Sequence, residues 1–455
     1  TAEVEKGQRM LSTTSAASSK SADLLASREI KHVVVLGANG AMGLGSGALF
    51  TTAVPRVTFL ARTKEKADGG LAAAVKMVRS STVAKRVDTG SYEADFDRVV
   101  AEADLIFEAV TEPLDLKQEF FDRIDAVRRP DSIVATVTSG LSINQLAAGR
   151  SDSFRKNFLG LHFFNPPNVI VGTELVAGKD TDPKLVDFID AFCTVRLGRA
   201  MVRTADTAGF AGNRVGFKVL NECAILAEEH GPLLIDELVG PYTGRAMTPL
   251  ATVDLVGWDI HRAIVDNIYE LAPDEAHETL KLPQYMSELM GKGVLGRKTG
   301  GGFFGKDDGG NRIVLDPKTQ KYVAKASISR PDLTFIDTIS NLHRVGRYEE
   351  GMKAFAAATG PYAAIAHKVI AGYISYSFHR VGEVTDDISG IDRIMGFGFN
   401  WAPPSVLVDT IGLKATIQMI EKAGLPVPPA LANAQEGTKF FDDPQVNVGK
   451  FFVAA

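Results

Sequence analysis

His32-Val33-Val34-Val35-Leu36-Gly37-Ala38-Asn39-Gly40-Ala41-Met42-Gly43 is the stretch on which the fold turns. A short valine-rich run reads as a buried strand. It ends in a glycine turn, and a stretch rich in small residues then reads as a helix. Strand, glycine turn and helix in that order are the context of a dinucleotide fingerprint. Glycines there permit a tight turn and the close approach of backbone to a pyrophosphate. The helix start offers its N–H groups to the anion. The candidate contacts are Gly37, Gly40, Ala41, Met42 and Gly43. A plain glycine-rich turn carries the same residues, so the surroundings must decide.

Those surroundings repeat the pattern. Further strands are expected at 56–61, 104–109, 132–138 and 158–164, with helical stretches such as 117–126 between them. Alternating strands and helices predict a mostly parallel, doubly wound sheet of the α/β Rossmann type. Two details depart from the usual fingerprint. Two residues, Ala38 and Asn39, separate Gly37 from Gly40 where one is usual. Asn39 can take a left-handed conformation, which would accommodate an enlarged turn. The second strand ends in Ala61 and Arg62, where an acid normally binds the ribose hydroxyls. Arg62 is either a contact for a 2′-phosphate or a solvated surface charge.

The chemistry centres on Gly160-Leu161-His162-Phe163-Phe164-Asn165-Pro166-Pro167, followed by Gly172-Thr173-Glu174. His162 closes a buried strand, and a return strand would bring Glu174 back beside it. Imidazole is an effective acid/base near neutral pH, and a carboxylate on its other nitrogen fixes the tautomer. A histidine so placed is otherwise a satisfied structural one.

The chain resembles the 3-hydroxyacyl-CoA dehydrogenase family, whose His-Phe-Phe-Asn-Pro motif carries a Glu twelve residues beyond the His, as His162 and Glu174 do here. The resemblance runs from about Ile30 to the C-terminus. It is nearest to the dehydrogenase portions of multifunctional fatty-acid oxidation proteins, which share the segment Gly149 to Asp152; no crotonase-like portion is present. The resemblance implies that Ser139, in Thr138-Ser139-Gly140-Leu141, and Asn213, in Gly209-Phe210-Ala211-Gly212-Asn213-Arg214, contact the substrate. It further implies cofactor contacts from Glu112, Lys117, Ser139 and Asn165. NAD is the implied cofactor, with NADP the alternative that Ala61 and Arg62 raise. No metal is implied.

Beyond Asp206 the chain reads as mainly helical, with an amphipathic helix expected at 213–229. Ile235-Asp236, Gly240, Pro249, Asp254 and Gly257 recur as Ile391-Asp392, Gly396, Pro404, Asp409 and Gly412. Two tandem repeats are therefore expected. The expected organisation is a disordered tail at 1–28, a Rossmann domain at 29–206, a first helical copy at 207–325 and a second at 326–455. Residues 307–326 read as a polar loop. Single-copy family members bury the helical face against another subunit. A tandem copy would supply it within one chain, giving a pseudo-dimeric monomer or a small homo-oligomer.

Composition sets the class. With 45% hydrophobic and 23% charged residues and a net charge of -5, the chain reads as an ordinary globular protein. No basic patch supports nucleic-acid binding, and no apolar run reaches membrane-spanning length. Cys193 and Cys223, the only two cysteines, suit a reducing, cytoplasmic setting. The expected activity is reversible oxidation of an L-3-hydroxyacyl-CoA to the 3-ketoacyl-CoA. The rivals are a dehydrogenase of another hydroxy acid and a catalytically silent nucleotide sensor or scaffold.

Overall fold

The valine run folds as β1 (His32–Leu36), buried at all five positions. Burial on both faces is why it lacks polar alternation. It joins β2 (Arg56–Ala61), β3 (Val87–Ser91), β4 (Leu105–Glu108), β5 (Ile133–Thr136), β6 (Phe158–Phe163), β7 (Gly172–Ala177) and β8 (Ala200–Thr204) in one sheet. The order is β3-β2-β1-β4-β5-β6-β7-β8. Neighbours from β3 to β6 are parallel, β7 runs back antiparallel to β6, and β8 is parallel to β7. The order reverses between β1 and β4, the place where such sheets open a crevice beyond their C-terminal ends. This computed structural model describes residues 19–110, 114–443 and 446–452. The chain divides into two compact units, with the break between Asp206 and Thr207.

Phenylalanines weld the first unit behind the glycine turn. Phe50, Phe107 and Phe163 come from the first helix, β4 and β6, with ring centroids 5.2–6.2 Å apart. Two strands of the first unit escape the sequence reading, β3 and β8. Both are edge strands with exposed or half-exposed positions, so neither shows a continuous apolar run. The tail expectation needs correction at 19–27, which is helical, with Leu25 packed on the core. The rest of that tail, residues 1–18, lies outside the described residues.

The second unit is built around helix Gly212–His230, which packs against helices Pro232–Leu238, Pro249–Val256, Trp258–Leu271 and Pro361–His379. The helix expected at 213–229 is present, but its polar residues are not confined to a solvent face. Every residue from Gly212 to Ala224 is buried, including the Lys218–Glu222 ion pair at 2.8 Å. Carboxylates tie down the chain around it. Asp236 accepts from Leu250 N (2.8 Å) and Thr248 Oγ1 (2.6 Å), and Asp392 accepts from Ser405 N (3.0 Å). Asp254 accepts from the amides of Phe303 and Phe304, and Asp409 from those of Phe440 and Phe441.

Residues 307–326 are likewise not a loop. β9 (Phe304–Lys306), β10 (Arg312–Asp316) and β11 (Lys321–Ala324) form an antiparallel sheet in the order β11-β10-β9. Only Val314 and Leu315 are buried in β10, too few to set a visible period. Cys193 and Cys223 are buried free thiols, and burial pushes both up. Among the described residues no helix is long and apolar enough to cross a membrane.

Candidate active site

Backbone pairing sets the central geometry. His162 on β6 lies opposite Glu174 on β7 in the antiparallel register. Opposed residues share a face with their Cβ atoms about 5 Å apart, which leaves room for one side-chain hydrogen bond. His162 Nδ1 donates to Glu174 Oε2 at 2.7 Å. A carboxylate only accepts, so Nδ1 carries the hydrogen and Nε2 is left as an acceptor. Ser139 Oγ lies 3.2 Å from Nε2. His162 is 4% exposed and Glu174 0%, so the pair is shielded from water. Phe164 packs on the imidazole with centroids 4.9 Å apart and holds the ring plane.

Ser139 follows β5 and is held from the opposite end of the first unit's sequence. Asp206 accepts from Ser142 Oγ (2.8 Å), Ile143 N (2.8 Å) and Asn144 N (2.9 Å). That caps the short helix Ile143–Ala147 and fixes the segment leading to it from Ser139.

The glycine turn divides its labour. Gly37 has φ 75°, and a Cβ on it would strike the carbonyl of Ala109 at the end of β4. A Cβ on Gly43 would strike the carbonyl of Gly37. Those two glycines answer to packing. A Cβ on Gly40 would meet only the Gly37 carbonyl, at 3.4 Å, so its face is open. Gly40 starts helix Ala41–Phe50 without a side-chain cap, leaving the first-turn amides to a ligand. The left-handed residue of the turn is Gly37 and not Asn39, which needs no special conformation. Tyr92 Oη accepts from Gly37 N at 2.8 Å. Burial pushes its phenol up to about 12, so the hydroxyl keeps its proton.

Lys117 lies beneath the segment that follows β4. Its Nζ donates to Glu108 Oε1 (2.8 Å), Glu108 Oε2 (3.0 Å) and Val110 O (3.2 Å), and both side chains are 0% exposed. Glu108 also accepts from Thr136 Oγ1 at 2.6 Å and Val110 N at 2.8 Å. An ammonium so enclosed ties down the segment after β4. Lys117→Met leaves Glu108 charged and buried, and should cost roughly 3–5 kcal/mol in urea unfolding. Adding Glu108→Gln should restore most of that loss. An unaltered midpoint for the single variant would show the pair open to water.

Glu112 lies outside the described residues. Asn165 and Arg62 are exposed, with Arg62 one residue beyond buried Ala61. Asn213 belongs to the second unit, at the second residue of helix Gly212–His230, and is 4% exposed. Sequence reasoning missed Tyr92, Glu108 and Asp206. Glu108 had a signal, a charge closing the otherwise apolar strand Leu105–Glu108. Tyr92 and Asp206 had none, since each acts across the fold.

Residues 32–207 match the family model of the 3-hydroxyacyl-CoA dehydrogenase NAD binding domain, and residues 209–306 match the C-terminal domain of the same family. The chain is 31% identical over 318 residues to the human mitochondrial hydroxyacyl-coenzyme A dehydrogenase, covering 65% of this chain and 96% of that one. The chain belongs to the 3-hydroxyacyl-CoA dehydrogenase family. A probable 3-hydroxyacyl-CoA dehydrogenase of Bacillus subtilis is 32% identical over 346 residues, 75% of this chain. This family member spans only 43% of the length of that relative. Escherichia coli 3-hydroxybutyryl-CoA dehydrogenase has the same fold, with TM-score 0.65 at 22% identity over 87% of this chain and 94% of that one. As a 3-hydroxyacyl-CoA dehydrogenase family member, the chain places the break between its units where one matched domain gives way to the next.

Proposed function

We propose that this chain oxidises an L-3-hydroxyacyl-CoA reversibly to the 3-ketoacyl-CoA, with NAD as its nicotinamide cofactor. The observation that carries this reading is the buried His162–Glu174 pair with Ser139 on the other imidazole nitrogen. The open face of Gly40 and the uncapped helix start suit a pyrophosphate. When bound, the nicotinamide supplies the hydride acceptor. His162 Nε2 takes the proton of the C3 hydroxyl, and Glu174 stabilises the imidazolium that results. Ser139, with Asn213 as the resemblance implies, hydrogen-bonds the C3 oxygen. Alignment of this kind contributes about 7–11 kcal/mol at its ideal limit. Steady-state reduction of acetoacetyl-CoA tests the reading, with free 3-oxobutyrate as the comparison. Preference for the free acid, or no turnover of either, would overturn it.

Arg62 bears on the cofactor. Ala61 neither accepts from a ribose nor repels a 2′-phosphate, and exposed Arg62 stands one residue beyond it. A charge-assisted contact is worth about 1.5–3 kcal/mol, about ten- to a hundredfold in affinity. Arg62→Ala should therefore reduce kcat/KM with NADPH selectively and spare NADH. Equal effects on both would make Arg62 a surface charge only.

The second unit is best read as two tandem copies, 207–325 and 326–455. Helices Pro249–Val256 and Pro404–Ile411 both end in glycines of nearly equal geometry, Gly257 (φ 98°, ψ 135°) and Gly412 (φ 97°, ψ 139°). The paired caps by Asp236 and Asp392, and by Asp254 and Asp409, support the same reading. The second copy then stands where a partner subunit would, and one chain is a pseudo-dimer.

A further inference from the structure

Asn213 sits behind an unusual turn. Gly209 (φ 73°) and Phe210 (φ 50°) are both left-handed, and the second is a conformation that residues with a side chain avoid. Something must hold it. Arg214, the next residue after Asn213, donates its backbone N–H to Gly209 O (3.0 Å) and its Nη1 to Ala208 O (3.3 Å). One side chain thus clamps the strained turn to the first turn of the helix.

The rest of that guanidinium bonds to Asp274 and to the far half of the unit. Arg214 Nε donates to Tyr376 Oη (2.6 Å), and Nη2 to Asp274 Oδ2 and Glu383 Oε1 (2.8 Å each). Tyr376 donates in turn to Asp274 Oδ2 (2.8 Å). Arg380 closes the network, on Asp274 (2.8 Å), Glu383 (2.7 Å) and Glu275 (2.7 Å). Arg214 is 2% exposed and Arg380 6%. Burial opposes charge on Asp274, yet the bonds from Arg214 and Tyr376 hold its carboxyl below the ordinary range. Tyr376, Arg380 and Glu383 lie in the second copy, and Arg214, Asp274 and Glu275 in the first.

We propose that Tyr376 and Glu383 of the second copy are positioning residues for turnover, setting Asn213 through Arg214. This rests on the reading above that Asn213 binds the C3 oxygen. The second copy is then part of the catalytic apparatus, acting through Arg214. A ring of well-formed bonds fixes the guanidinium, the guanidinium fixes the turn, and the turn fixes the amide. Misplacing such a group by about 1 Å is enough to cost up to about a hundredfold in rate.

The test is a double-mutant cycle on the full chain. Tyr376→Phe removes one hydroxyl, and Glu383→Gln keeps shape, so both variants should fold. Together they should lower kcat with acetoacetyl-CoA by about tenfold or more, leaving the NADH dissociation constant nearly unchanged. In an Asn213→Ala background the same pair should change kcat less than about twofold. Full multiplicative loss in that background, or no loss in the wild-type one, would overturn the proposal. If the pair proves unstable, Tyr376→Phe alone is put through the same cycle. A fully active Asn213→Ala would instead remove the assignment of Asn213, and this proposal with it; a costly Asn213→Ala with an inert Tyr376→Phe and Glu383→Gln pair removes only the proposal.

Discussion

His162→Gln should lower kcat by about a hundred- to ten-thousand-fold while NADH affinity stays near wild type. The amide of glutamine keeps the bulk and one hydrogen bond but has no basic nitrogen. The proton of the C3 hydroxyl then has nowhere to go at the distance where Nε2 now stands. Glu174→Gln should come close to the same loss for a different reason. An amide NH₂ can donate to Nδ1, which drives the imidazole hydrogen onto Nε2 and leaves the wrong tautomer facing the substrate. In the best-studied histidine–carboxylate pair that swap costs roughly ten-thousand-fold. Steady-state kcat with acetoacetyl-CoA, beside NADH titration by fluorescence, separates chemistry from binding. Near-wild-type kcat in either variant would remove the pair from catalysis.

A chain ended at Lys325 should self-associate or aggregate and lose activity. The interface it would bare is already closed within the unit. The ring of Phe399 rests directly on Gly216, where any Cβ would collide with it. Arg245, 2% exposed, stacks on Trp401 at 3.8 Å and lies 5.3 Å from Tyr373. Removing those rings hydrates a guanidinium that burial has pushed below its ordinary range, but it also exposes the apolar wall around it. Arg214 would lose Tyr376 and Glu383 at the same time. Light scattering after size exclusion, with an activity assay, reads the result. A soluble, monomeric, fully active truncation would refute the view that the second copy replaces a partner.

The parts of this molecule legible in sequence are those whose cause is local. β1 announces itself because burial on both faces demands an unbroken valine run. His162 and Glu174 do so because a hairpin joins them over a short span. β3 and β8 stay hidden because an edge strand needs no such run. Lys117 is named by the resemblance alone, and its pairing with Glu108, whose carboxylate also accepts from Thr136 Oγ1, exists only in the folded sheet. Tyr92 on Gly37 and Asp206 on Ile143 are contacts 55 and 63 residues apart in sequence, beyond the reach of any local pattern. The buried length of helix Gly212–His230 was missed because its polar residues, Lys218 and Glu222, satisfy each other.

The acid/base pair is carried on two strands that face one another in register, His162 against Glu174. Its spacing is therefore dictated by the ladder and is indifferent to the connection between the strands. Beyond Phe164 on the imidazole, Asn165 and the two prolines, residues 168–171 are open to lengthening or exchange for another segment, so long as Leu161↔Leu175 and Phe163↔Thr173 stay paired. A slip of one residue is a different matter, because it would turn Glu174 to the opposite face of the sheet and leave the imidazole unpaired. For anyone recasting this scaffold toward new substrates, that connection is the place to graft loops, and the hairpin beneath it is the piece to transplant whole.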